Sequence, residues 1–195
     1  GRYWFEHLAG LPVSAEVASE YRYRNPAHVK GGAALAISQS GESLDTLMAM
    51  RHASELGLKS VGIVNVPEST IAREADLLLP TRAGPEIGVA STKAFTAQLT
   101  VLFSLAIRLG LKRGHLTAAQ ADIYETILLG LPGAVGQAIS QFESVRTVSQ
   151  YLKRAESCLF LGRGLLYPLS LEAALKLKEL SYIHAEGFAA GEMKH

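Results

Sequence analysis

The segment Ser38-Gln39-Ser40-Gly41-Glu42-Ser43 puts three hydroxyls and one carboxamide within six residues, between an apolar run and a helical pattern. A helix N-terminus presents unpaired N–H groups and a partial positive charge. Hydroxyls and backbone amides gathered there can satisfy phosphate oxygens without a cationic side chain. Gly41 lets the backbone come close to such an anion. The competing reading is an ordinary capped turn, with Ser40 as N-cap and Glu42 in the first helical turn. No Gly-Lys-Ser/Thr follows the loop, and G-x-G-x-x-G spacing is missing, so neither a Walker loop nor a dinucleotide fingerprint is present.

Glu172, Lys176 and Glu179 fall at i, i+4 and i+7 of a second helical pattern. As a solvated ladder such a stripe is worth about 0.2–0.5 kcal/mol per pair. Inside a cleft, a carboxylate beside a lysine is a general base, and the helix alone does not decide between the two. The segment 184–195 follows, rich in small and polar residues, with His184 and His195 able to titrate near neutral pH. Those histidines, with Glu186 and Glu192, lack a recognised zinc spacing, so no metal is expected. The loop Gly84–Lys93 feeds another helix, with Ser91 as a plausible cap. It can offer backbone groups to a ligand, although a plain loop and cap suffices to explain it.

The elements that must hold these residues alternate. Strands are expected at 32–37, 60–64, 77–79 and 157–161, with Pro80 stopping the third. Helices are expected over 43–56, with Leu44, Leu47, Met48 and Leu56 on one face, over 69–75, and over 91–110, ending at Gly110. A helical stretch over 117–155 is expected to break at Pro132-Gly133, and a helix over 166–183 to carry the apolar stripe Leu169, Ala173, Leu177 and Leu180. Strands separated by helices make an α/β fold, a parallel sheet with helices on both faces, and ligands bind there at the carboxyl ends of strands. The Ser/Gly loop lies at that position.

The 195 residues suit one domain or two small lobes, and 48% hydrophobic against 19% charged residues fits a folded core. A formal charge of +1, with scattered basic residues, gives no field for nucleic acid or an anionic membrane. The lone Cys158 lies in an apolar run and reads as a buried structural thiol. The apolar stretch 99–111 is too short and interrupted to span a bilayer, and no signal peptide opens the chain, so a cytoplasmic location is expected. Residues 1–5 read as mid-helix and the chain stops at Lys194-His195 without a terminating element, so a longer protein is expected.

Four strings together resemble the isomerase half of the glutamine–fructose-6-phosphate aminotransferases: residues 38–43, 88–93, 171–179, and 182–186 with 191–195. That half is built from two sugar-isomerase (SIS) domains of flavodoxin-like type. The resemblance implies a first SIS domain over 1–135, lacking its first strand, and the N-terminal part of a second over 136–195. It implies that Ser38, Gln39, Ser40 and Ser43 hold the phosphate of fructose 6-phosphate and that Val89 and Ser91 lie near the sugar. It makes Glu179 the base that moves a proton between the first two sugar carbons, gives Lys176 a nearby proton-handling role, and links His195 to ring opening in the partner subunit. Family members usually have threonine at Ser43 and glycine at Ala173.

The resemblance further implies an enzyme making glucosamine 6-phosphate with glutamine-derived ammonia, a homodimer with a glutaminase domain elsewhere in the protein, and no cofactor. A Schiff-base lysine is expected beyond His195. The alternatives are another SIS sugar-phosphate isomerase or deglycase, and a non-catalytic sugar-phosphate sensor. Glu179 with Lys176 favours an enzyme.

Overall fold

The computed structural model describes residues 1–194, and His195 lies outside them. The chain divides into two units, Gly1–Ile87 with Ser91–Leu128, and Gly88–Ala90 with Leu129–His195.

In the first unit the strands are β1 (Ala33–Ser38), β2 (Lys59–Val64) and β3 (Leu77–Pro80), all parallel, with β2 in the middle. β2 is rich in β-branched residues, and alternate residues face opposite sides. Val64 packs with Ala36, Leu47, Met50 and Ile71 on one face. Its neighbour Ile63 packs with Phe5, Leu8, Leu102 and Ile107 on the other. The first face is covered by α3 (Leu44–Glu55) and α4 (Thr70–Glu74), the second by α1 (Arg2–Ala9) and α5 (Lys93–Lys112). The expected parallel sheet with helices on both faces is the observed one. A short helix, α2 (Ala18–Tyr21), precedes β1.

Several local expectations are corrected. The buried stripe of α3 is Leu47, Met50 and Ala53, while Leu44 is 64% exposed. Helical periodicity admits either stripe, and packing on Val64 and Ile71 selects the one carrying Met50. Pro80 takes part in β3, opposite Val64, and the ladder continues as Thr81 N–H donates to the Val64 carbonyl at 2.9 Å. α5 does not end at Gly110 but runs to Lys112, and the turn out of it is made at Gly114, with φ 70°. Gly110 serves packing instead: a Cβ there would lie 2.1 Å from the Leu8 carbonyl oxygen. At 20 residues α5 is also longer than its apolar run suggests, and is by length and composition apolar enough to cross a membrane. Ala94, Leu102, Ala106 and Ile107 on it are buried.

The helical stretch after Thr117 comprises α6 (Ala118–Ser140) and α7 (Phe142–Leu152). α6 passes through Pro132 rather than breaking there, and the interruption falls at Gln141. Proline costs the carbonyl four residues earlier its partner, but much of this helix is exposed, where water can replace that bond.

In the second unit β4 (Ser157–Gly162) pairs in parallel with β5 (His184–Ala189), and α8 (Leu166–Ser181) joins them. β5 was not expected, because His-Ala-Glu-Gly-Phe-Ala carries no β-branched residue. The buried face of α8 is Ser170 and Ala174, not the expected leucine stripe, and Leu169 and Leu180 are exposed. Small residues let the helix lie directly on β5: a Cβ on Gly187 would meet the Leu171 backbone nitrogen at 2.7 Å.

One side chain fixes the register of β2 against the entry to β3. Asp76 Oδ2 accepts the Ser60 N–H at 2.8 Å and the Ser60 hydroxyl at 2.9 Å, and Lys59 Nζ lies 2.9 Å from Oδ1. In return the Asp76 N–H donates to Ser60 Oγ at 3.0 Å. The backbone bond from Ser60, then the bonds from Lys59 and the Ser60 hydroxyl, hold the Asp76 carboxyl well below its usual value of 3.8, at about 2. A depressed carboxylate contributes stability that is present above its unfolded pKa and lost as pH falls through the folded one. Asp76→Asn is therefore expected to lower the urea midpoint at pH 7, with the gap to the parent closing between pH 3.8 and about 2. A gap independent of pH in that window would remove the carboxylate from this role.

Gly110→Ala sets two effects against each other. Alanine gains about 1 kcal/mol of helix propensity. The clash with the Leu8 backbone forces α1 away from α5, and overpacking of this kind costs about 1–3 kcal/mol. The contact is with backbone rather than a movable side chain, so a net fall in melting temperature is expected by thermal unfolding, and a rise would contradict the packing of α1 on α5.

Candidate functional site

Ser38 is the last residue of β1 and is buried. Its Oγ accepts the Gly41 N–H at 3.0 Å and lies 3.0 Å from Ser43 Oγ. Ser40 Oγ accepts the Glu42 N–H at 3.1 Å. The loop thus curls on its own hydroxyls, bringing Ser38 and Ser43 together at the start of α3 while Ser40 holds the Glu42 N–H. The N-cap of α3 is Ser43, not Ser40, and Ser43 makes no side-chain cap bond. Its hydroxyl is turned to Ser38 instead, so the capped-turn reading loses its main feature.

The segment after β2 clamps this loop from outside. The Gln39 carbonyl accepts the Asn65 N–H at 3.1 Å, and the Gly41 carbonyl accepts the Ile71 N–H at 3.0 Å. Glu42 Oε1 accepts the Thr70 N–H at 2.7 Å. Hydrogen bonds from Thr70, with a smaller contribution from the Arg73 charge, hold the Glu42 carboxyl below its ordinary value. Ser69 is the N-cap of α4 but caps nothing with its side chain. Its buried Oγ has no hydrogen-bond partner among the described residues. It packs on Gly41, where a Cβ would lie only 2.0 Å away and φ is 68°. Both the close approach and the left-handed backbone require glycine.

The loop after β3 is ordered by two side chains. Asn65 Oδ1 accepts the Ala83 N–H at 2.7 Å and the Thr81 hydroxyl at 3.1 Å, while Asn65 Nδ2 donates to the Gly84 carbonyl at 2.8 Å. Glu86 accepts the Thr92 N–H at 2.9 Å and the Ser91 hydroxyl at 3.1 Å. The bond from Thr92 is the main cause, and that from Ser91 a further one, of the lowered Glu86 pKa. Thr92, rather than Ser91, is the N-cap of α5. Val89 is 90% exposed and groups with the second unit.

In the second unit, Lys176 Nζ lies 3.2 Å from Glu172 and 3.0 Å from Glu179, on one face of α8. The side chains of Glu172, Lys176 and Glu179 are 26%, 24% and 35% exposed, so this is no freely solvated ladder. Burial pulls the ammonium pKa down, but hydrogen bonds to Glu179 and Glu172 outweigh it and the net shift is upward. His184 sits in β5, 3.5 Å from Glu186. Cys158 is half-buried in β4. No cluster of three or more metal-ligating side chains occurs among the described residues.

The structure therefore brings Ser38, Gln39, Ser40 and Ser43 into one loop, and Lys176 and Glu179 onto one helix face. Sequence reasoning missed Asn65 and the clamp on Glu42. The signal for Asn65 was available: a carboxamide directly after a β-branched run stands at the carboxyl end of a strand.

Residues 1–108 and 151–195 match the SIS domain family. The chain is 55% identical over 194 residues to a glutamine–fructose-6-phosphate aminotransferase of Zymomonas mobilis, covering 100% of this chain and 32% of the relative. It is 50% identical over 195 residues to the enzyme of that name from Methanosarcina acetivorans, again covering 32% of it. The chain thus spans about a third of the length of these curated relatives. Among solved structures it is similar to the C-terminal domain of glucosamine-fructose-6-phosphate aminotransferase from Francisella tularensis, with TM-score 0.97 and 44% identity, covering 100% of this chain and 55% of the other. It is also similar to a glucosamine-6-phosphate deaminase from Thermotoga maritima, with TM-score 0.81 and 25% identity, covering 100% of this chain and 57% of the other. On the family match, the chain belongs to the SIS domain family.

Proposed function

We propose that this chain is the sugar-phosphate isomerase portion of an aminotransferase that converts fructose 6-phosphate to glucosamine 6-phosphate. The observation that carries the reading is the start of α3, where the Ser38 and Ser43 hydroxyls meet and Ser40 lies in the same short loop, at a helix N-terminus with no side-chain cap bond. The helix N–H groups and hydroxyls can serve phosphate oxygens there. The half-identical relatives favour this enzyme over another SIS isomerase, deglycase or sensor. A first SIS domain over 1–135 and the start of a second over 136–195 belong to the same reading, as do a homodimer and a glutaminase domain supplying ammonia.

Ser38, Gln39, Ser40 and Ser43 hold the phosphate, and Val89 and Ser91 meet the sugar. Ammonia condenses with the ketone carbon to an imine with loss of water, and Glu179 then takes a proton from the first sugar carbon and returns it to the second, a step that conserves every atom. Lys176, kept charged by its two carboxylates, opposes the negative charge that grows on the substrate as the proton leaves. His195, outside the described residues, assists ring opening in the partner subunit.

In the full-length protein, Glu179→Gln is expected to lower kcat by about 10²–10⁴-fold, the usual worth of a general base, with KM for fructose 6-phosphate little changed. Steady-state kinetics check this, and retained turnover would remove Glu179 from the role. Ser38→Ala combined with Ser40→Ala removes two hydroxyls from a charged ligand, each worth about 1.5–3 kcal/mol. A rise of tenfold or more in the dissociation constant of fructose 6-phosphate by calorimetry is expected, at roughly 1.4 kcal/mol per decade, and unchanged affinity would refute the cradle.

A further inference from the structure

Asn65 stands one residue beyond β2 and is half-buried. Its backbone and its side chain point to different loops. The backbone N–H donates to the Gln39 carbonyl in the phosphate loop. The carboxamide is enclosed by residues 81–84, accepting from Thr81 and Ala83 and donating to Gly84. Its orientation is fixed by chemistry: the Ala83 N–H needs an acceptor and the Gly84 carbonyl needs a donor, so a flipped amide would lose both bonds.

The enclosed turn cannot hold itself. Arg82 has φ 53° and Gly84 φ 70°, two left-handed residues within four. For a non-glycine residue that conformation costs about 1–2 kcal/mol. Three hydrogen bonds from one side chain, each netting about 0.5–1.5 kcal/mol, are enough to keep it. The far end of the same segment is tied by Glu86 to Ser91 and Thr92, and by Lys93 Nζ to the Pro85 carbonyl. The stretch from Thr81 to Lys93 is thus anchored at one end on Asn65 and at the other on the start of α5.

We propose that Asn65 is a positioning residue for sugar recognition: it sets the loop that leads to Ser91 at a fixed place beside the loop that takes the phosphate. This rests on the sugar-phosphate reading above. Asn65 touches no reacting atom. It acts by holding two loops, one for each end of the substrate, in a single register, and misplacement by an ångström is enough to weaken such recognition.

The test uses the full-length protein with Asn65→Asp and Thr81→Val. Asn65→Asp keeps the oxygen used by Thr81 and Ala83, loses the donor to Gly84 and sets a charge against that carbonyl. Thr81→Val removes a single hydroxyl donor and tests the same contact where the first variant folds poorly. KM for fructose 6-phosphate, kcat, competitive inhibition by inorganic phosphate and the melting temperature are measured for each. The expected result is a rise in KM of about tenfold for Asn65→Asp, which loses one hydrogen bond and adds a charge repulsion, and about threefold for Thr81→Val, which loses one hydrogen bond. The inhibition constant of inorganic phosphate stays within about twofold, because phosphate alone does not use the sugar loop. Gly110→Ala, which loosens packing far from these loops, lowers the melting temperature without moving KM and so marks a purely structural effect. Unchanged KM in both variants overturns the proposal. A phosphate inhibition constant that rises in step with KM also overturns it, by placing the effect in the phosphate loop. Failure of the underlying reading is seen separately: Ser38→Ala with Ser40→Ala would then leave both the sugar-phosphate and the inorganic-phosphate constants unmoved.

Discussion

Ile63 and Val64 are adjacent in sequence and buried on opposite faces of β2, and the arrangement of the first unit follows from covering both. A parallel strand buried on two sides must send its connections back across those sides. α3 and α4 do so over Val64, while α1 and α5 close over Ile63. The same parallel pairing brings all three carboxyl ends to one edge. Ser38 lies opposite Val64, and Val64 opposite Pro80. The residues that leave the sheet there, Gln39, Asn65 and Thr81, are therefore neighbours in space because of register, whatever separates them along the chain.

Beyond that edge the ladder stops, and the backbone polar groups of the loops need other partners. They find them in one another. Gln39 and Gly41 give their carbonyls to N–H groups of the segment after β2. Residues 83 and 84, after β3, use the Asn65 carboxamide. Glu42 reaches out to the first N–H of α4 while Ser69, the residue placed to cap that helix, is buried with no hydrogen-bond partner among the described residues. An unpaired buried hydroxyl costs about 1–3 kcal/mol, so its place is held by packing on Gly41, not by hydrogen bonding. The result is a set of loops in which most polar groups are committed to neighbours while the N-terminus of α3 is not capped by Ser43. Under the proposed function that difference is useful: the donors left for a phosphate are those a rigid surround already aims.

Much of this was legible. Apolar runs at 32–37 and 60–64 marked strands, the periodic stretches marked α3 and α5, and the hydroxyl density at Ser38, Ser40 and Ser43 marked the loop. What escaped was set by close approach rather than by hydrophobicity. β5 was hidden because its composition is small and polar, chosen to let α8 lie on Gly187. Gly110 resembled a helix end and is a contact point for the Leu8 carbonyl. The leucine stripe of α8 fits the helical period as well as Ser170 and Ala174 do, yet only the small residues let the backbones meet. Asn65 and Glu42 escaped because their partners, at residues 81–84 and at residue 70, are neighbours only after the sheet has formed.

The acid-base stripe of α8 poses a question of protonation. Lys176 loses favourable hydration on burial, which on its own would push an amine toward the neutral form needed for a nucleophile. Here two carboxylates at 3.2 and 3.0 Å reverse that direction and keep the ammonium charged. A lysine held in that state is poorly suited to attack a sugar carbonyl and well suited to oppose negative charge. Under the proposed function this divides the work. Glu179 carries the proton, Lys176 supplies fixed positive charge beside it, and Schiff-base formation falls to a different lysine. Glu172 then has a reason to be where it is. Both carboxylates lie within ion-pair distance of the ammonium, and Glu179, which accepts its hydrogen bond at 3.0 Å, is the closer. Three side chains on one helical face thus keep a charged lysine between two carboxylates, and under the proposed function Glu179 must loosen its contact with Lys176 to take a proton.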